Sequence, residues 1–198
     1  MTTVLPVGAD GLLIEVDDPA RWYRELVDAR ERGDLACVEI VPGARTVLLA
    51  GLADPPAARQ FLMTANPQPH EGSTQPATVT VEVVWDGEDL DEVARTWGRA
   101  PADVLLQTPF TVAFCGFAPG FGYLTGLPAH LQLPRHPTPR PRVPAGSVAT
   151  AGPYVGIYPR ETPGGWWLLG RTRITLFDPD RQPPALLSPG TVVRFVDA

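Results

Sequence analysis

FCGFAPGFGYLTGLPAHLQLPRHPTPRPRVPAGSVATAGPYVGIYPRETPGGWWLLGR, residues 114–171, is the stretch on which the fold turns. It is crowded with Pro, Gly and Arg, and Glu161 is its only acid. Inside it the short apolar runs SVATA, YVGIY and GWWLLGR are each bounded by turn residues. FTVAFCGF (Phe110–Phe117) leads into it, and ITLFD and TVVRFV follow it. Many short strands separated by frequent Pro and Gly connections predict a closed or sandwiched β-structure. The chain has no internal repeat.

Upstream the pattern changes. LLIEV (Leu12–Val16) reads as a strand. DDPARWYRELVDARERG reads as a helix, with Asp18 able to cap it, Pro19 suited to its first turn and Gly33 just past its end. ACVEIV (Ala36–Val41) and TVLLAG (Thr46–Gly51) read as strands around the Pro42-Gly43 turn, and Asp54 precedes a second helix, PPAARQFLMTA. A strand after that helix would complete a ferredoxin-like split βαβ unit. None is visible before the polar segment PQPHEGSTQPA (Pro67–Ala77), which reads as a linker. TVTVEVVW (Thr78–Trp85) either closes the first domain or opens the second. EDLDEVARTWG and PADVLLQ (Pro101–Gln107) read as short helices. The expectation is an α+β chain of two domains, an α/β domain over 1–76 and a β-barrel domain over 77–198.

Charge is distributed unevenly. Residues 1–103 hold 8 Arg and 18 acids, residues 104–198 hold 8 Arg and 4 acids, and the whole chain carries a formal net charge of -6. An acidic chain lacks the basic face of a general nucleic-acid binder, while the positive C-terminal part suits a small anion. All 16 basic residues are Arg. Without Lys there is no Schiff base, no Walker-type phosphate Lys, no pyridoxal anchor and no biotin attached to this chain. Cys37 and Cys115 sit in apolar runs far apart and read as buried thiols of a reducing compartment. MTTVLPVGADGLLIEV lacks the charged and apolar regions of a signal peptide, and no apolar run approaches the ~18 residues of a membrane span. A cytoplasmic location without membrane contact is expected.

The candidate site lies in the opening stretch. PRHPTPRPRVPAG sets Arg135, Arg140 and Arg142 on a segment that Pro holds extended, and Arg suits bidentate capture of a carboxylate or phosphate. With no acid inside the segment, ligand binding is favoured, and pairing with the distant Asp86–Glu92 run is the alternative. Gly146, Ser147, Gly164 and Gly165 lie in small-residue turns whose N–H groups suit an anion-binding nest. Ser147 is outside a G-x-S-x-G elbow and reads as a hydrogen-bonding hydroxyl. Phe117, Phe121, Tyr123 and Tyr158 suit a pocket wall. Glu161 is the one local acid for proton transfer. His70, His130 and His136 lack metal-ligand spacing, so no metal site is expected.

GFAPGFGYLTGLP, LPRHPTPRPRVPAGSV, AGPYVGIYPRETPGGWWLLGRT and LFDPDRQPPALLSPGTVVRF resemble the 5-oxoprolinase subunit family also called allophanate hydrolase subunit 1, which includes the Kip-type inhibitors of sporulation kinases (the carboxyltransferase subdomain C and D family). The resemblance runs from VEIVPGARTVLL through VRFV. It implies a cyclophilin-like barrel as the second domain and a larger barrel-type partner subunit, in a heterodimer or heterotetramer. It implies ATP, with Mg, at the level of the complex, and ATP-dependent opening of 5-oxoproline to glutamate. Its alternatives are an accessory role in a urea-carboxylase-type carboxyltransferase and inhibition of a histidine kinase. Two departures stand out. Leu105, Leu106 and Gln107 occupy a region where relatives carry a His, and Arg173 stands where relatives read Pro.

Overall fold

The computed structural model describes residues 3–68 and 77–198. His70 and the expected boundary at residue 76 lie outside the described residues, as does the linker between Gln68 and Ala77. The chain divides into two compact units, Met1–Gln75 and Pro76–Ala198.

The first unit is a four-stranded antiparallel sheet with two helices. Its strands are β1 (Thr3–Val7), β2 (Gly11–Glu15), β3 (Glu39–Pro42) and β4 (Thr46–Ala50), in the order β1-β2-β4-β3. Helix α1 (Pro19–Arg32) starts where Asp18 Oδ1 accepts the Arg21 N–H at 3.0 Å, and stops where Gly33 turns left-handed at φ 84°. Helix α2 (Pro55–Thr64) has the same start, with Asp54 Oδ1 accepting the Ala57 N–H at 3.0 Å. Alternation along the strands sends Val4, Leu12, Ile14, Val47 and Leu49 to one face, where they pack with Trp22, Leu26 and Leu62. No strand follows α2 among the described residues of this unit. The place beside β2 that such a strand would take is held by β1, from the front of the chain. ACVEIV forms a strand only from Glu39 onward. Both edge strands carry a Pro, Pro6 and Pro42, a residue tolerated there because an edge leaves donors unpaired.

The second unit opens with β5 (Thr78–Val83), so TVTVEVVW belongs to it. Helices α3 (Leu90–Trp97) and α4 (Pro101–Gln107) follow, then β6 (Phe110–Cys115), β7 (Gly122–Thr125), a 3-10 turn at Ala129–Leu131, β8 (Arg140–Val143), β9 (Ser147–Ala151), β10 (Tyr154–Ile157), β11 (Thr162–Gly164), β12 (Trp167–Arg171) and β13 (Val192–Asp197). Seven strands form one mixed sheet in the order β12-β9-β10-β7-β6-β13-β5, and β8 and β11 form a separate pair. The sheet then nearly closes. Val84, just past β5, exchanges both backbone hydrogen bonds with Arg171 at the end of β12, each 2.9 Å. The seam continues through Gly87 N–H to the Leu169 carbonyl at 3.2 Å and Asp89 N–H to the Leu168 carbonyl at 3.1 Å. This partial closure covers part of the two edges, β5 and β12, that an open seven-stranded sheet would expose. The interior is filled by alternating residues such as Val81, Phe110, Val112, Leu124, Leu169 and Phe195.

One strand expected from sequence is not formed. ITLFD makes only an isolated bridge, Phe177 to Ala185. The loop around it is held by the Arg181 guanidinium, which donates to the carbonyls of Thr175, Leu176, Pro183 and Pro184 at 2.8–3.3 Å. The two thiols are half-buried rather than buried.

Candidate functional site

A second, smaller cluster of buried side chains in the barrel unit unites Phe121, Val143, Ala149, Tyr158, Trp166 and Leu168. Above it opens a cavity of about 480 Å³, lined among others by Phe117, Phe121, Tyr123, Arg135, Tyr154, Tyr158, Gly164 and Trp166. Phe121 is its hub, edge-on to Tyr123 at 5.0 Å, Phe117 at 5.3 Å, and Tyr158 and Trp166 at 5.5 Å each. Such edge-to-face contacts orient rings as well as burying them. Gly156 makes room for this packing, since a Cβ there would press on the Phe121 and Trp166 rings. All four aromatics expected at a pocket wall line this cavity. Tyr154 and Trp166 join them, two residues that lie unremarked inside strand patterns.

Phe117 sits on strained backbone. Its φ is 68°, the one positive value outside glycine among the described residues, in a region that bulky side chains avoid. The turn that imposes this is closed by Ala118 N–H on the Gly116 carbonyl at 2.8 Å and Phe121 N–H on the Ala118 carbonyl at 2.9 Å. The ring is left 57% exposed at the cavity rim.

The three arginines have different fates. Arg135 is exposed and lines the cavity, and among the described residues its guanidinium has no ion pair or hydrogen bond. Its backbone is pinned on both sides: Trp167 Nε1 donates to the Pro134 carbonyl at 2.7 Å, and His136 N–H donates to the Gly165 carbonyl at 2.9 Å. Arg140 does not fit the expectation of cations without counter-ions. Its Nη2 lies 2.6 Å from Asp89 Oδ1 and its Nε 3.2 Å from Glu88 Oε2. Arg142 is likewise paired, 2.7 Å from Glu161 Oε1. The distant Asp86–Glu92 run thus supplies partners that the segment itself lacks, and Glu161 is engaged with Arg142 outside the cavity.

The expected anion nest also differs. Gly146 N–H donates to the Tyr158 carbonyl at 2.7 Å, and Ser147 N–H and Oγ both donate to the Pro144 carbonyl, at 3.3 and 2.8 Å. Those groups are consumed in holding the turn. Gly164 borders the cavity, where its missing side chain admits the Tyr158 ring, and Gly165 contributes its carbonyl to the clamp on His136. Leu105 is in the barrel core, and Leu105, Leu106 and Gln107 lie apart from the cavity. Arg173 lines a separate depression with Glu82 and Arg171. A larger depression in the first unit, about 760 Å³, has no comparable aromatic wall, and two of its charges, Asp18 and Arg21, pair with each other at 3.4 Å.

Burial pushes the phenols of Tyr123, Tyr154 and Tyr158 above the ordinary tyrosine value, and the positive charge of Arg135 offsets part of this for Tyr123 and Tyr158. At neutral pH all three are therefore protonated hydroxyls, able to donate and to accept. Among the described residues none of the three makes a hydrogen bond through its hydroxyl. A nucleotide with its metal does not fit this donor set. A triphosphate would meet one unpaired cation, the Gly146 and Ser147 N–H groups are taken, and the described residues contain no group of three or more potential metal ligands.

Fold and cavity together define an α+β protein with a nearly closed mixed β-barrel that carries an aromatic pocket with an arginine at its mouth. A family model described as "Carboxyltransferase domain, subdomain C and D" matches residues 2–187, and the chain belongs to that family. It is 44% identical over 124 residues to a 5-oxoprolinase subunit of Bacillus subtilis (strain 168), covering 60% of this chain and 52% of the relative. It is 50% identical over 113 residues to the corresponding 5-oxoprolinase subunit of Escherichia coli O157:H7, covering 56% of this chain and 52% of the relative. The matched part thus spans about half the length of these curated relatives. Among solved structures it is similar to TTHA0988, with a TM-score of 0.77 and 33% identity over 96% of this chain and 40% of that one. Among the described residues no helix is long and apolar enough to cross a membrane.

Proposed function

We propose that the chain is one subunit of an ATP-dependent hydrolase that opens a cyclic amide, 5-oxoproline to glutamate. It acts with a larger barrel-type partner subunit, in a heterodimer or heterotetramer, and is inactive alone. The observation that carries this reading is Arg135, an unpaired cation held at the mouth of an aromatic cavity, in a chain whose curated relatives are named as subunits of 5-oxoprolinase. Hydrolysis of a cyclic amide adds one water across its C–N bond. A shared site of this kind needs the substrate fixed by its carboxylate while the reacting amide faces the partner. Nucleotide and Mg are assigned to the rest of the complex, because the residues here do not suit them. In this reading the domains are 1–76 and 77–198. The first is ferredoxin-like, with β1 in the place beside β2 that a strand after α2 would take, and the second is a cyclophilin-like barrel. Support comes from the order β1-β2-β4-β3 and from the closure through Val84 and Arg171.

The test is co-expression with the larger barrel-type subunit, followed by ATP-dependent release of glutamate from 5-oxoproline. Release by the complex, none by this chain alone, and loss on Arg135→Ala support the reading. Robust turnover by this chain alone overturns the shared site. Activity that requires biotin and bicarbonate transfers the chain to carboxyltransferase chemistry.

A further inference from the structure

We infer that the cavity of this chain binds, by itself and without nucleotide, a small ring carrying a single carboxylate. The inference rests on the proposed function and narrows it, giving this subunit the substrate's carboxylate and leaving the phosphates elsewhere.

Charge counting comes first. Among the described residues, Arg135 is the one cation lining the cavity. Arg140 faces Asp89 and Glu88, and Arg142 faces Glu161. One guanidinium matches one carboxylate in a two-pronged pair. It leaves a polyphosphate, with three or more negative charges, largely uncompensated in a partly desolvated site.

Shape and polarity agree. About 480 Å³ lies at the small-molecule end of the usual range for ligand pockets. Phe117, Phe121 and Trp166 offer apolar ring surface for a flat or puckered ring. The hydroxyls of Tyr123, Tyr154 and Tyr158 have no partner among the described residues, so they are available to a ring carbonyl, a ring N–H and the second carboxylate oxygen. Groups placed this way discriminate strongly, because an analogue lacking the matching atom leaves a donor unpaired. Proline keeps the carboxylate but brings a cationic ring nitrogen next to Arg135, and 2-pyrrolidinone keeps the amide but has no carboxylate.

The test uses the full chain alone. L-5-oxoproline is titrated by tryptophan fluorescence, reading Trp166 at the cavity wall, and by calorimetry. Saturable binding is expected, unchanged by ATP with Mg, and at least tenfold tighter than that of 2-pyrrolidinone or proline. Arg135→Gln should weaken it at least tenfold while leaving the thermal midpoint in place, since that guanidinium is exposed. Tyr154→Phe should weaken it severalfold, and Arg142→Gln should leave it within twofold. Absence of binding by the chain alone overturns the inference, as does competition by ATP or an Arg135→Gln variant that binds normally. The two proposals fail separately. A complex that hydrolyses 5-oxoproline although this chain does not bind it sinks only the inference. A chain that binds it within a complex that does not hydrolyse it sinks only the proposed function.

Discussion

Asp89 and Arg140, 51 residues apart in sequence, meet at 2.6 Å in a site where the carboxylate is buried. The second oxygen of Asp89 accepts the Leu168 N–H at 2.7 Å, so one side chain ties the segment after β5 to both β12 and the β8 Arg. Burial works against the Arg140 charge, and the hydrogen bonds it donates to Asp89 and then Glu88, with the attraction of both carboxylates, more than offset it, leaving the guanidinium held above its ordinary pKa.

Asp89→Ala is therefore expected to destabilise the chain by about 3 kcal/mol, the usual scale for removing one partner of a buried pair. Asp89→Asn should lose about half as much, since it keeps an acceptor for Leu168 N–H. Glu88→Ala, at a largely exposed carboxylate, should lose no more than ~0.5 kcal/mol. Urea unfolding of the three variants checks the order. Equal losses at Asp89 and Glu88 would contradict it.

Gly146 lies in a turn whose composition suits a ligand donor, yet its geometry makes it a structural glycine. It has φ +82°, and a Cβ there would run into the Thr172 carbonyl. Gly146→Ala should lower stability by at least ~2 kcal/mol, from a left-handed backbone plus a clash with main chain. A thermal melt within a degree of the parent would reinstate the position as a free turn.

Phe117 separates strain from binding. Replacing it by Gly relieves the positive φ, and replacing it by Ala keeps that φ while removing the ring. Phe117→Gly is expected to be more stable than Phe117→Ala by about 1 kcal/mol, the reverse of the usual order at non-turn sites. Both should weaken ring binding. If Ala proves the more stable, the turn relaxes in solution and the strain is not maintained.

The tyrosines set an alkaline limit. A phenol whose pKa is raised by folding contributes stability that is complete below the unfolded value and is lost as pH climbs through the folded one. Tyr158, raised chiefly by burial, should thus make the unfolding midpoint fall on the alkaline side of the ordinary tyrosine range. Tyr158→Phe should flatten that fall. A parent profile that stays level through that window would show the phenol ionising freely in the folded state.

Legibility from sequence followed the range of the forces involved. Both long helices were readable because Asp18 and Asp54 cap within three residues and Gly33 ends α1 at once. Strand β1 was not, because Val4 is its single buried residue and Pro6 interrupts it. ITLFD has strand composition, yet its neighbour Arg181 takes the loop carbonyls and leaves only one bridge. The aromatic wall was readable as a cluster of Phe and Tyr among glycines. The fate of each Arg was not, because Glu88 and Asp89 reach Arg140 only after the barrel closes.

The parallel pairing of β5 with β13 has a practical corollary. Thr78 lies opposite Val192 and Val83 opposite Asp197, so the start of β5 and the end of β13 fall at opposite poles of the barrel, about 20 Å apart for strands of this length. Polypeptide continuing past β13, natural or fused, would emerge from the pole opposite the first residue of β5.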